Sequence, residues 1–156
     1  MRMKLFNFWK QSALLLALTL TPLPAQISTV LTVTPPEKIA GKRSEMVTAD
    51  FKLQLRNGYH VNSNTPNDEF LIPLRFTWTN GAAEAGEVTF PKPRQEKYEF
   101  SAKPVSVFSG EFKTQTKFKL VSTGTMIGKL RYQACSDKAC LPPRTVEVKL
   151  PVEVRN

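Results

Sequence analysis

Side chains that hold metals or move protons are scarce in this chain. It has one histidine, His60, and two cysteines, Cys135 and Cys140, in 156 residues. Those three fall short of the four ligands of a structural zinc site, so no metal is expected. Four residues separate the cysteines and no histidine follows them, which excludes a haem-attachment motif. A Gly-rich phosphate loop and a Ser-centred nucleophile motif are both missing. The carboxylates show no pairing of the kind that acid–base catalysis uses. No cofactor is expected.

Long apolar runs are missing too. The run Ala13 to Leu20 is far short of the roughly 20 residues that a membrane helix needs. Arg2, Lys4 and Lys10 precede it, and Thr21-Pro22-Leu23-Pro24-Ala25 ends it. A basic start, a short apolar stretch and a small residue before Gln26 make a secretory signal peptide over residues 1–25. The mature domain is then 26–156. Left uncleaved, the leader would be an N-terminal membrane anchor. No cysteine follows the run, so a lipoprotein anchor is not indicated. Outside the cytosol a cysteine pair is normally oxidised.

The chain has 22 basic and 13 acidic residues, a net charge of +9. Removing the leader takes away three basic residues and no acidic one, leaving +6. What is missing here is a basic block. Lys52, Lys113, Lys117, Lys119, Lys129 and Lys149 are scattered singly through strand-like segments, as on solvated faces. Nucleic acid is therefore not an expected partner. The charge serves solubility or steers an acidic protein.

Helix signals are poor, and twelve prolines argue against long helices. Alternation argues for strands instead. Gln26 to Thr34 reads as the first. Val47, Ala49, Phe51, Leu53 and Leu55 alternate strictly with polar residues, and Asn57-Gly58 turns that strand. Tyr59 to Val61 is short. Leu74, Phe76 and Trp78 alternate up to the Asn80-Gly81 turn. Val88 to Phe90, then Thr114 to Leu120, follow, with Gly124 as a breaker. Seven or more short strands in one domain predict an all-β sandwich. Phe51, Leu53, Phe76, Trp78, Phe118, Leu130 and Tyr132 are the expected core. Two stretches, Asn62 to Pro73 and Pro91 to Gly110, read as long loops.

The cysteines sit between apolar runs at Ile127 to Ala134 and Thr145 to Val152, which read as the arms of a hairpin. Directly opposed residues there would lie about 4.5–5.5 Å apart at Cα, within reach of a disulfide. Two readings of the pair stay open. One is a structural staple. The other is a redox-active dithiol. A loop this short gains only about 2 kcal/mol from closure, against about 4–5 for one tying distant strands, so it is a weak staple. By parity, Cys135 falls with Lys129, Arg131 and Gln133 on the polar face, opposite Leu130, Tyr132 and Ala134. His60, if close, would favour a thiolate as an imidazolium. The competing reading is a surface histidine on a short strand. Lys138 and Arg144 would also favour the thiolate, and Asp137 would oppose it.

The run Tyr132-Gln133-Ala134-Cys135, four residues, then Cys140-Leu141-Pro142-Pro143 resembles the active hairpin of the N-terminal periplasmic domain of the DsbD disulfide reductase family. Asn57-Gly58-Tyr59-His60-Val61-Asn62-Ser63-Asn64 and Asp68-Glu69-Phe70-Leu71-Ile72-Pro73 are similar to that domain as well. The resemblance implies an immunoglobulin-like β-sandwich, located in the periplasm or secreted from the bacterial envelope. It also implies thiol–disulfide exchange through Cys135 and Cys140, with Cys140 bonded to the partner. Implied partners are thioredoxin-like envelope proteins, such as disulfide isomerases or cytochrome c maturation thioredoxins, and a membrane thiol reductase. In the family an aromatic ring caps the thiols; Phe100 fits that role first and Tyr98 second. The region near the thiols is richer in tyrosine in the family, so His60 and Asn62 are departures. Full-length members continue into membrane and thioredoxin-like domains, and neither precedes Asn156, so a stand-alone exchange module is expected. The alternative is a non-catalytic immunoglobulin-like binding module with a structural disulfide.

Overall fold

The computed structural model describes residues 29–155. The expected leader lies outside the described residues, as do residues 26–28 of the first expected strand.

Alternation builds the first sheet. In β3 (Met46–Leu55) Ala49, Phe51, Leu53 and Leu55 are buried while Asp50, Lys52 and Gln54 face solvent. The same pattern buries Thr114, Thr116, Phe118 and Leu120 of β9 (Glu111–Leu120). These two pair antiparallel from Met46 opposite Lys119 to Gln54 opposite Glu111. With β1 (Leu31–Thr34) and β6 (Ala83–Thr89) on the flanks, the order is β1-β3-β9-β6. The second sheet is made by β2 (Ile39–Lys42), β12 (Arg144–Arg155), β10 (Gly124–Tyr132) and β5 (Arg75–Thr79), in the order β2-β12-β10-β5. Only β2 runs parallel to its neighbour. Gly124, expected to break a strand, opens β10 opposite Val152.

The two sheets face each other across an aromatic core. Phe51 of β3 meets Phe76 of β5 edge-on at 5.2 Å between centroids, and Trp78 meets Phe118 edge-on at 5.1 Å. Such edge-to-face pairs add to the area they bury. The expected core residues are buried, except that Trp78 is half-buried and its indole N–H donates to the Thr116 hydroxyl at 3.3 Å. This is the all-β, immunoglobulin-like sandwich that the alternation and the resemblance predict.

A third, smaller sheet grows out of the first. Two joints allow it. After β3, the turn at Asn57-Gly58 places Gly58 at φ +79°, and Tyr59 N–H bonds Arg56 C=O at 3.1 Å. Before β9, Gly110 takes φ +66°, and its C=O accepts from Leu55 N–H at 2.9 Å. Both glycines occupy a left-handed conformation that side chains resist. Beyond the joints the chains pair again as β4 (His60–Asn62) and β8 (Val105–Ser109), with His60 opposite Ser109. β11 (Ala134–Cys135) adds on one side and β7 (Arg94–Glu96) on the other, in the order β11-β4-β8-β7. The loop expected over Pro91 to Gly110 is therefore a β7–β8 hairpin whose open segment is only 97–104. β8 escapes an alternation test because both its faces are covered. Val105 and Val107 pack in one cluster and Phe108 in the main core.

Gly128 marks the tightest approach in the core. A Cβ there would meet the Phe76 ring at 2.7 Å and the Trp78 ring at 2.8 Å. Rigid rings wedged between sheets cannot swing away as a lysine tip would. Gly128→Ala should therefore destabilise the fold by about 1–3 kcal/mol, read as a lower urea midpoint. An unchanged midpoint would show that the rings are free to move.

Candidate functional site

The cysteine hairpin starts where β10 stops. Tyr132 is the last residue paired with β12, opposite Arg144. The next side chain, Gln133, donates to Leu141 C=O at 3.1 Å and closes the throat, together with Leu141 N–H to Ala134 C=O at 2.8 Å. Ala134 and Cys135 then leave the second sheet and pair with Val61 and His60 of β4. A disulfide joins Cys135 to Cys140, with Cα atoms 3.9 Å apart. Between them Ser136 N–H bonds Ala139 C=O at 2.9 Å, and the Ser136 hydroxyl oxygen accepts from Lys138 and Ala139 N–H, each at 3.3 Å. The tip is thus a tight turn held by its own serine.

The parity expectation for Cys135 is overturned. Cys135 is 1% exposed, on no polar face, and Cys140 is the exposed cysteine. The alternation count fails because Gln133 is a transfer point between sheets. Ala134 and Cys135 are both buried, so the period of two restarts there. One cysteine is consequently covered and the other exposed.

Directly opposed residues of an antiparallel pair project to the same side of the sheet. His60 therefore shares a face with Cys135. It is not the surface histidine that one reading allowed: it is 3% exposed, and its Nε2 finds no hydrogen-bond partner among the described residues. Its ring stacks on Tyr98 at 4.2 Å and 19°. Tyr98 in turn stacks on Phe100 at 5.1 Å and 7°. The order of the rings runs from covered to open, since Tyr98 is 8% exposed and Phe100 is 49%. Tyr98, and not Phe100, is the ring against His60. Its hydroxyl donates to Glu96 at 2.5 Å. Burial and the Glu96 carboxylate both hold the phenol well above its ordinary range, so it stays a donor.

Asn62 is buried two residues along the same strand, and its Nδ2 donates to Ile72 C=O at 3.0 Å. Its carboxamide is engaged with the loop that follows, not with the sulfurs. Lys138 and Arg144 are exposed. Glu96 carried no sequence signal, and Leu71, which packs against the cluster of Tyr98, Val105 and Val107, was singled out only as part of the run 68–73. Their contacts exist only between distant segments.

Comparison with known proteins follows the same lines. The family model described as "Thiol:disulfide interchange protein DsbD, N-terminal" matches residues 30–151. No curated protein matches the chain. Among solved structures, it is similar to the N-terminal periplasmic domain of ScsB from Proteus mirabilis. Identity there is 17%, over 77% of this chain and 44% of that one, with a TM-score of 0.56. The reduced N-terminal domain of DsbD from Neisseria meningitidis is 16% identical over 66% of this chain and 75% of that one, with a TM-score of 0.49. The DsbD–PilB N-terminal domain complex from the same organism is 18% identical over 81% and 85%, with a TM-score of 0.47. The ScsB likeness is one of fold, and this chain spans less than half of that one.

Burial lowers the affinity of His60 for a proton, against the raising pull of Glu96 and Asp137. A histidine whose folded value lies below the ordinary 6.5 binds fewer protons than the unfolded chain just below that pH. Stability is then complete above 6.5 and declines as the pH falls through it. Melting temperature should drop between about pH 7.5 and about pH 5. His60→Phe, which keeps the ring stack, should flatten that decline. An equal slope in the variant would remove His60 as its source.

Proposed function

The chain belongs to the family of the N-terminal domain of the thiol:disulfide interchange protein DsbD, and from that membership we propose that it relays electron pairs between envelope proteins through Cys135 and Cys140. The observation that carries the reading is the asymmetry of the disulfide. Cys140 is exposed, while Cys135 is buried opposite His60 and its stack of rings. A staple needs no such asymmetry, and a bridge across five residues stabilises little.

Each step follows from that arrangement. A thiolate of a reduced partner attacks Cys140 Sγ, the exposed end. The S–S bond breaks, and Cys135 Sγ leaves with the electron pair. A bond forms between the partner's sulfur and Cys140. His60, across the ladder from Cys135, offers the departing thiolate an N–H donor, or a positive charge once protonated. The partner's second thiolate then attacks its own sulfur in the mixed disulfide and releases Cys140 as a thiolate. The partner is left oxidised and the hairpin carries two electrons as two thiols. Reversal against an oxidised protein discharges them. The Phe100–Tyr98 pair serves as the cap that a partner displaces. A membrane thiol reductase fits as donor. Thioredoxin-like proteins, including disulfide isomerases or cytochrome c maturation thioredoxins, fit as acceptors. The periplasm is the compartment in which such a pair operates.

The potential of the pair against a glutathione buffer tests the reading. A value between about −180 and −270 mV is expected of an exchange protein. A value below about −300 mV marks a structural disulfide and leaves a binding module. The order of attack is tested separately with single variants. Cys135→Ser, which leaves the exposed Cys140, should accumulate a mixed disulfide with a thioredoxin-like protein. Cys140→Ser should not, and the opposite pattern would reverse the roles of the two sulfurs.

A further inference from the structure

The cysteine hairpin has few backbone bonds of its own. Pairing of β10 with β12 ends at Tyr132 opposite Arg144. Beyond that point the return arm is Cys140-Leu141-Pro142-Pro143, and neither proline has an N–H to donate. Between the ladder and Cys140, Leu141 alone can donate from its backbone, and its N–H bonds Ala134 C=O at 2.8 Å. Two side chains make up the shortfall, one on each side of the disulfide. On the throat side the Gln133 carboxamide donates to Leu141 C=O at 3.1 Å. On the tip side the Ser136 hydroxyl accepts from Lys138 and Ala139 N–H, each at 3.3 Å, and donates to Ala139 C=O at 3.2 Å. None of these bonds uses a sulfur, so all of them remain available when the disulfide is broken.

We propose that Gln133 and Ser136 are positioning residues that clasp the hairpin shut while its S–S bond is open, and so speed the step in which Cys135 resolves a mixed disulfide on Cys140. This rests on the exchange reading of the pair and concerns its discharge. The Cys140 thiolate attacks one sulfur of an oxidised partner, and the partner's other sulfur leaves as a thiolate. Cys135, as a thiolate, then attacks Cys140 Sγ. The Cys135–Cys140 bond re-forms, the bond from Cys140 to the partner breaks, and the partner's remaining sulfur leaves with the electron pair. Both electrons are then on the partner, whose thiolates take protons from water. The second attack is intramolecular, so its rate follows the effective concentration of Cys135 at Cys140. Cys135 is fixed in the ladder opposite His60, whereas Cys140 rides on the arm that the prolines leave short of donors. Holding that arm is what keeps the two sulfurs within reach. The same effective concentration sets the stability of the disulfide against glutathione, so a loosened hairpin has a higher potential.

The test mixes the reduced protein with oxidised glutathione, quenches with acid and follows the glutathione adduct by mass, in the wild type, Gln133→Met, Ser136→Ala and Ser136→Thr. Formation of the adduct should keep the wild-type rate in every variant, because the exposed Cys140 is untouched. Its resolution should be about five-fold slower in Gln133→Met, as expected for one lost hydrogen bond. Ser136→Ala should be at least as slow. The potential against glutathione should rise in step, by about 20 mV for a five-fold change at about 30 mV per tenfold. Ser136→Thr, which keeps the hydroxyl, should match the wild type, and a threonine variant as slow as the alanine one would strike Ser136 from the clasp. A side chain of purely structural use would lower the melting temperature and leave the adduct's lifetime alone. Wild-type lifetimes in both Gln133→Met and Ser136→Ala, with the wild-type potential in the range of exchange proteins, would therefore overturn the clasp and spare the exchange reading. A wild-type potential in the structural range would remove exchange itself, and the clasp with it.

Discussion

Two residue pairs hold the site together: Ala134 opposite Val61, and Cys135 opposite His60. Without that short ladder the cysteine hairpin would be a free tip at the end of β10. With it, Cys135 is pinned against a sheet whose next strands carry the Tyr98 and Glu96 neighbourhood. Strand pairing fixes which side chains share a face, so one register decides the whole arrangement. The strand it pairs with is reached through the joints at Gly58 and Gly110, where the β3–β9 ladder gives way to the β4–β8 ladder.

A large difference in cover across a single disulfide follows from this geometry. Cys135 lies in the ladder and Cys140 on the return arm of a turn that projects from it. On the proposed exchange, a nucleophile approaching from solvent would meet Cys140, and the leaving thiolate would appear where water is scarce. Charge there is costly unless a donor is at hand, which gives a buried imidazole opposite Cys135 a chemical use. The Tyr98 phenol, fully engaged with Glu96, is a scaffold for the stack and not a proton source.

Much of the sandwich was legible because half-buried strands alternate. Phe51, Leu53, Phe76, Phe118 and Leu130 are buried where a period of two puts them. The same rule missed β8, which is covered on both faces and has no alternation to read. It also misplaced Cys135, because a parity count assumes one continuous strand and the chain changes sheets at Gln133. The sequence left His60 open between a place near the thiols and a place on the surface for a related reason. A three-residue strand next to a turn shows no pattern, and what buries it comes from residues 96–100. Asn67 lies in a stretch that reads only as a long loop, and its bond to Pro104 spans 37 positions.

The sequence by itself determined the fold class, the core of the two main sheets and the cysteine pair. Local alternation, turn residues and a compact motif carry that information within a dozen residues. Only the tertiary structure decided which cysteine is exposed, what faces the buried one and what packs against Tyr98. Those are properties of a third sheet assembled from four separate stretches of chain. The contacts between such stretches depend on how they pack in space, which spacing along one strand does not encode.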